Sequence, residues 1–328
     1  MVKKLTTFIK NNMDFIIILL VIGLCFIKFD YVIYSPGGKV DLTERIKIDG
    51  EYKTAGKLNM AFVTMRDATL PTAIAALIIP NWDMYPNEEV VYSDTTYEET
   101  LEIDRLSMKA SQDLSTIMAY KKAGKKIDIS GYHSNVIFVT EDAQTDIKPL
   151  DEIIRINGNE MGEFSDIGDY ISLLNPGDKV EIDVLRDGKE KKCSAVIYDV
   201  DGASKIGVGI LMTYDFKTDP EIKIESKKSE SGASGGLMTT LAIYNKLTKE
   251  DITKGRDIMG TGTIQKDGTV GEIDGVKYKL LGSKGSDIFL CPKENEAEAL
   301  RVKKKFKLDI EIKAVGTLDE AIEYLNAN

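Results

Sequence analysis

Residues Phe15 to Ile27 form an unbroken apolar run, Phe-Ile-Ile-Ile-Leu-Leu-Val-Ile-Gly-Leu-Cys-Phe-Ile, preceded by Lys3, Lys4 and Lys10. This stretch constrains the chain more than any other, because so much adjoining apolar surface has to be covered by protein or by lipid. Lys28 and Asp30 interrupt the run, yet Phe29, Tyr31, Val32, Ile33 and Tyr34 prolong its character. A membrane-spanning helix needs about 20 residues, so residues 13–34 are expected to cross as an anchor with snorkelling ends. The lysines place residues 1–12 in the cytoplasm and everything after Asp30 on the outer side. A cleaved signal peptide shares these charged and apolar regions, but Lys-Phe-Asp-Tyr-Val-Ile-Tyr follows Ile27 where a small-x-small cleavage site would stand. The expectation is an uncleaved, single-pass protein of the cell membrane.

The remainder of the 328 residues, 43% hydrophobic and 29% charged over the whole chain, can bury about two domain cores. A formal net charge of −10 argues against a nucleic-acid partner, which needs a basic face. His133 is the single histidine, so a multi-histidine metal site is excluded and a Ser-His-Asp triad could use only this residue. Its setting, Gly131-Tyr132-His133-Ser134-Asn135, reads as a surface loop at the start of a strand. Cys25, Cys193 and Cys291 have no metal-ligand spacing; Cys193 and Cys291 read as buried thiols, with a disulfide between them left open. No metal and no cofactor are expected. Neither a Gly-x4-Gly-Lys-Ser/Thr loop nor a dinucleotide glycine fingerprint occurs, so nothing points to ATP or NAD chemistry.

Along the chain, Tyr34-Ser35-Pro36-Gly37-Gly38 reads as a break after the anchor. Leu58 to Met65 reads as a strand, and Pro71 to Ile79 as a short helix with proline in its first turn, ended by Pro80-Asn81-Trp82. Trp82 is expected to pack rather than bind. Asp94, Thr95 and Thr96 offer N-caps to a long helix that closes at Gly124, with Ile103, Leu106, Ala110, Leu114 and Ile117 on one face. From Lys125 to Val200 the texture changes to short strands and turns: Asn135–Val139, Asp151–Asn157, a helix from Phe164, then Lys179–Arg186, a hairpin at Asp187-Gly188, and Lys191–Tyr198.

That order resembles a PDZ domain. The matching residues run from Ile147 to Gly158 (Ile-Lys-Pro-Leu-Asp-Glu-Ile-Ile-Arg-Ile-Asn-Gly), followed by Pro176-Gly177-Asp178-Lys179-Val180. The resemblance implies an edge that takes up an extended peptide as an added strand, beside a carboxylate-holding loop expected around Gly131 to Val136. The sequence lacks Gly-Leu-Gly-Phe there, which leaves capture of free carboxyl termini open. A small β-rich domain that binds nothing is the plainer alternative.

Ser231-Gly232-Ala233-Ser234-Gly235-Gly236-Leu237-Met238 is a glycine-rich turn that delivers Ser234 to the start of an apolar, helix-length segment. By itself such a turn reads first as a plain strand-to-helix connection, and only its pairing with a base would make the serine a nucleophile. A serine hydroxyl becomes nucleophilic only when a base takes its proton, and with one histidine in the chain a lysine is the plausible base. Lys277 in Gly275-Val276-Lys277 is the candidate; as a base it must be neutral, which burial beside Val276, Leu280 and Leu281 favours. Thr261 is expected to orient the amine, and the Ala233 and Ser234 backbone N–H groups to hold an oxyanion. Lys279 and Lys284 are expected at the surface.

Residues Ile206 to Leu325 resemble the proteolytic domain of Lon proteases. Gly-Ala-Ser-Gly-Gly around Ser234 stands for the family's Gly-Pro-Ser-Ala-Gly, and Asp-Gly-Val-Lys-Tyr-Lys-Leu around Lys277 for its Gly-Gly-Leu-Lys-Glu-Lys-Leu. Met259-Gly260-Thr261-Gly262 stands for its Met-Thr-Gly-Glu, and Pro292-Lys293-Glu294-Asn295 matches outright. Ala233, Gly235 and Thr263 depart from the pattern, and Ser231 stands where many members carry an acid. The resemblance implies a Ser234–Lys277 dyad. With the anchor and the PDZ-like part, the chain resembles membrane-anchored PDZ–Lon proteases, whose fold begins before the PDZ domain. The expected fold class is α+β: a Lon proteolytic-domain fold with an inserted or preceding PDZ domain, after one transmembrane helix. The expected segments are 1–12 cytoplasmic, 13–34 anchor, 35–124 an outer α/β segment, 125–200 PDZ-like and 201–328 proteolytic. Expected partners are peptide or protein substrates, the lipid membrane and, by resemblance, further copies in a hexameric ring. The expected function is ATP-independent serine endopeptidase action outside the membrane, with the PDZ domain recruiting substrate. A non-catalytic, membrane-anchored PDZ scaffold is the alternative.

Overall fold

The computed structural model describes residues 10–92, 95–162 and 164–327. The apolar run forms helix α1, Met13–Leu24, in which no residue is buried. At about 1.5 Å per residue its 12 residues extend about 18 Å, short of the roughly 30 Å hydrocarbon layer. No helix among the described residues is long and apolar enough to cross a membrane. The second half of the expected anchor over residues 13–34 is corrected: strand β1, Lys28–Asp41, takes over after a turn. Aromatic and β-branched residues there suit a pleated ladder, and Val32 and Ile33 are wholly buried. Lys3 and Lys4 lie outside the described residues, as does Asp94.

Pro36-Gly37-Gly38 does not end β1 either. The strand runs through it with a register shift between Pro36 and Lys39. A Cβ on Gly37 would lie 2.1 Å from the Phe62 carbonyl oxygen, so glycine is what lets the neighbouring strand approach.

The other principal elements begin with β2 (Lys57–Thr69), α2 (Leu70–Ile78), β3 (Asp83–Pro86) and the long helix α3 (Tyr97–Lys122). The middle of the chain holds β4 (Lys126–Val139), β5 (Glu152–Ile156), α4 (Phe164–Ser172), β6 (Lys179–Arg186), β7 (Lys189–Val196) and β8 (Val208–Asp219). Then come α5 (Gly236–Leu247), β9 (Asp257–Gly260), α6 (Val276–Leu281), β10 (Ile288–Pro292), α7 (Glu296–Phe306), β11 (Glu311–Val315) and α8 (Leu318–Ala327).

One six-stranded sheet has the order β11-β10-β9-β2-β1-β3. β2 and β9–β11 are mutually parallel neighbours, while β1 is antiparallel to β2 and β3. Strands from both ends of the chain thus share one sheet. β10 is buried at every position, as a parallel strand covered on both faces must be. Helix α5 is buried on nearly all sides, with Leu237, Met238, Leu241 and Ile243 at zero exposure. Each such side chain contributes roughly 1.5–3 kcal/mol by burial.

The second sheet, in the order β8-β4-β5-β6-β7, is antiparallel throughout and encloses a core that includes Val136, Ile153, Ile156, Ile182 and Val184. β8 falls in the stretch that the sequence assigns to the proteolytic region, yet it pairs with β4 along its whole length. Helix α3 packs against α5 and against β8 and β4 of the second sheet. It opens on Thr96, whose hydroxyl accepts from the Glu99 amide while Glu99 reaches back to the Thr96 amide, a capping box.

Candidate active site

The serine turn is fastened from two sides. From α3, the Ser111 hydroxyl donates to the Ala233 carbonyl (3.0 Å) and the Ser115 hydroxyl to the Gly236 carbonyl (3.0 Å). These serines are four apart and so share a helix face. From the loop after β9, the Gly262 amide (2.8 Å) and the Thr261 hydroxyl (3.0 Å) both donate to the Ser234 carbonyl. Thr261 is fully buried, and its hydroxyl is spent on the serine's backbone and not on a lysine amine. Gly235 leaves room for Met60: a Cβ there would lie 2.0 Å from the Met60 sulfur, so the flexible methionine side chain would have to shift. Among the described residues the Ala233 and Ser234 amides have no hydrogen-bond partner. They lie just before the N-terminus of α5, where unpaired N–H groups and the helix dipole favour negative charge.

Lys277 is placed elsewhere than expected. It lies in the first turn of α6, after Gly275 in a left-handed conformation (φ 73°). Its Nζ donates to Asp83 Oδ2 of β3 at 2.5 Å, and the Tyr278 hydroxyl donates to the same oxygen at 2.6 Å. Tyr85 and Tyr278 share a hydrogen bond at 3.1 Å, and Tyr34 packs against both rings. Burial works to raise the Asp83 carboxyl, but the Lys277 and Tyr278 hydrogen bonds outweigh it and hold it below the usual carboxylate range. Among the described residues Ser234 and Lys277 share no hydrogen bond. The structure therefore joins Ser234 with Thr261 and Ala233, and joins Lys277 with Asp83.

Lys279 requires correction. It is 5% exposed, its Nζ donates to the Asp274 carbonyl at 3.0 Å, and burial lowers its ammonium to about 8. Asn295, the last residue of Pro-Lys-Glu-Asn, is also buried; its side chain accepts from the Ile273 amide (3.0 Å) and donates to the Ile273 carbonyl (2.9 Å). The motif thus positions the segment that leads into Lys277. Sequence reasoning missed Asp83, which stands in no motif, and Ser111 and Ser115, whose only signal is the four-residue spacing that sets them on one face of the long helix. Beside the turn lies a recess lined by Met60, Met108, Gln112 and Gly235 and bordered by the Arg45–Glu230 ion pair, in which one guanidinium nitrogen, Nη1, donates to both Glu230 carboxylate oxygens at 2.7 and 2.6 Å.

His133 is not in a loop. It stands within β4, with Nδ1 2.7 Å from Glu152 of β5 and Nε2 3.1 Å from Asp215 of β8. Burial works to lower its pKa, but the bonds to the two carboxylates outweigh it and raise it. Gly131 to Val136, the expected carboxylate-holding loop, lies inside this paired strand. The strand at the β4 edge of the sheet is β8, which begins Val208-Gly209-Ile210; farther along, its Tyr214 amide donates to Asp113 of α3 at 3.0 Å. Cys193 and Cys291 are free thiols buried in different cores. Among the described residues no cluster of three or more His, Cys, Asp or Glu could hold a metal ion.

Residues 218–327 match the Lon protease (S16) C-terminal proteolytic domain, and residues 134–197 match the PDZ domain. This chain carries a Lon-type S16 proteolytic domain and a PDZ domain. The chain is 28% identical over 120 residues to Lon protease 2 of Borreliella burgdorferi (35% of this chain, 15% of that protein). It is 35% identical over 95 residues to Lon protease 1 of Sorangium cellulosum (28% and 12%). The chain thus spans about 15% or less of the length of these relatives. The PDZ domain of an SdrC-like protein from Listeria monocytogenes aligns at 23% identity, covering 26% of this chain and 92% of that one, with a TM-score of 0.22. The matched Lon-type range leaves out β1–β3, which complete its sheet and supply Asp83. The matched PDZ range leaves out β8, one of the two edge strands of that sheet.

Proposed function

We propose that the chain is an ATP-independent serine endopeptidase, with Ser234 as nucleophile and Lys277 as general base, that cleaves peptides or unstructured protein segments outside a membrane. The observation that carries this is the geometry at Ser234. Its carbonyl is locked by Thr261 and Gly262 inside the Lon-type domain, while the amides of Ala233 and Ser234 are free to meet an oxyanion. In the reaction the Lys277 amine takes the Ser234 proton, the hydroxyl oxygen attacks the scissile carbonyl, and the same amine returns the proton to the leaving amine. Lys277 must exchange Asp83 for Ser234 to do so. The PDZ domain recruits substrate as an added strand on β8, and the N-terminal apolar segment holds the chain at the membrane. No P-loop motif occurs, so cleavage needs no nucleotide. A hexameric ring belongs to the same proposal and is checked by sedimentation velocity.

A second reading, a non-catalytic peptide-binding scaffold, is favoured by one observation: Lys277 is engaged with Asp83 and not with Ser234. Incubating the chain with unstructured peptides, beside Ser234→Ala and Lys277→Ala, separates the two. The wild type is expected to cleave without ATP, and each variant to lose about a thousandfold or more. Equal cleavage by all three proteins rules out the dyad, and binding without cleavage supports the scaffold. ATP-dependent cleavage of a folded substrate would overturn the nucleotide-free reading.

A further inference from the structure

We infer that helix α2 and the Trp82 turn form a second membrane-contacting element, lying in the headgroup–acyl boundary of the bilayer beside α1. The inference rests on the membrane attachment proposed above. Helix α1, at 12 residues, cannot span the hydrocarbon layer by itself, and its side chains are exposed along its length. The ladder between β1 and β2 sets Lys28 opposite Thr69. Lys28 is the first residue beyond the apolar run, and Thr69 is the N-cap of α2. The two apolar helices therefore leave the sheet at the same end.

Helix α2 carries no charge, and its sequence Leu-Pro-Thr-Ala-Ile-Ala-Ala-Leu-Ile continues into Ile79. Leu77 is 82% exposed, Ile78 75%, and Ile74 and Ile79 are also exposed. A contiguous apolar surface of this kind on a water-facing helix marks a contact with another apolar phase. The turn after the helix is suited to an interface. Trp82 lies under the Arg66 guanidinium, 4.9 Å from its centroid, pairing an amphipathic ring with a side chain that keeps its head in water while its stem lies in lipid. An uncharged, apolar helix ending in a Trp–Arg pair, at the level where an apolar chain segment ends, fits a lipid surface. A second protein copy would leave the neighbouring apolar α1 still uncovered. Asp83 comes directly after Trp82, so the lipid-facing turn and the partner of Lys277 are one segment.

Trp82 is the only tryptophan, so its fluorescence reports on this element alone. The full chain is mixed with phosphatidylcholine vesicles whose acyl chains are brominated either near the headgroup or near the bilayer centre, and co-sedimentation is measured in parallel. The expected result is a blue shift of Trp82 and stronger quenching by the shallow bromines. The double variant Leu77→Glu, Ile78→Glu, altered at exposed positions and checked for unchanged circular dichroism, is expected still to sediment through α1 but to lose quenching at least threefold. Co-sedimentation of the wild type with Trp82 unquenched overturns this inference and leaves the attachment standing. Failure to co-sediment overturns both. A blue shift that grows with protein concentration without lipid assigns the surface to a second copy, against the inference.

Discussion

The Lys277 ammonium lies 2.5 Å from Asp83 Oδ2, although the two residues are 194 positions apart in the chain. Asp83 comes from β3, an edge strand of the six-stranded sheet, and Lys277 from the first turn of a six-residue helix. In the proposed reaction the amine has to leave this contact to reach Ser234. Asp83→Asn removes the charge and keeps a hydrogen-bonding group, and it is expected to raise peptide cleavage about tenfold, equivalent to about 1.4 kcal/mol of barrier. The check is kcat/KM on one unstructured peptide at fixed pH. A rate at or below that of the wild type shows that Asp83 supports the lysine and does not restrain it.

Thr261 gives its hydroxyl to the Ser234 carbonyl, which also holds the Gly262 amide. Thr261→Val keeps shape and removes one of the two bonds. It is expected to cost about 1 kcal/mol in urea denaturation and about a tenfold loss of cleavage, because the serine's backbone loses one anchor. Full activity in a stably folded Val variant dismisses the positioning role.

Burial lowers the Lys279 ammonium to about 8, against about 10.4 in an unfolded chain. Between those values the unfolded chain binds more protons, so stability rises with pH from about 8 to about 10, and below 8 the full cost of the buried charge is present. Lys279→Met removes this titration. It is expected to flatten the slope and, after losing the bond to the Asp274 carbonyl, to be more stable at pH 7 by on the order of 2 kcal/mol. Urea midpoints at pH 7 to 10 decide it, and an unchanged slope in the variant assigns the titration to another group.

His133 behaves with the opposite sign. Its two ring nitrogens face the carboxylates of Glu152 and Asp215, and a neutral imidazole can donate to only one of them. With the folded pKa raised, the stabilisation is present below about 6.5 and is lost as pH rises through the folded value. The ring is partly exposed, so solvent screening keeps the effect to about 0.5 kcal/mol, or about 1–2 °C in Tm between pH 5.5 and 8. His133→Gln is expected to show no such fall by scanning calorimetry.

Elements built from local preference are readable in the chain itself. The helix from Tyr97 to Lys122 shows in its three- and four-residue apolar spacing and in the Thr96 and Glu99 cap. The serine turn shows in its glycines, and Pro292–Asn295 in its order after Lys277. The stretch from Lys28 to Tyr34 misleads because apolar residues continue equally well as helix or strand, and only pairing with β2 and β3 decides between them. Lys279 misleads because lysine is nearly always exposed; its burial comes from the face that α6 turns inward.

The sequence by itself determined which side chains could do chemistry: one histidine, a serine on a glycine turn and a lysine in an ordered motif. It did so because turn geometry and capping depend on residues within a few positions of each other. Tertiary structure alone decided where those groups lie: Ser234 with Thr261, Lys277 with Asp83, and His133 inside the paired strand β4 between Glu152 and Asp215. Those contacts join strands and helices from distant parts of the chain. Their geometry is set by sheet order and packing, which no local preference encodes.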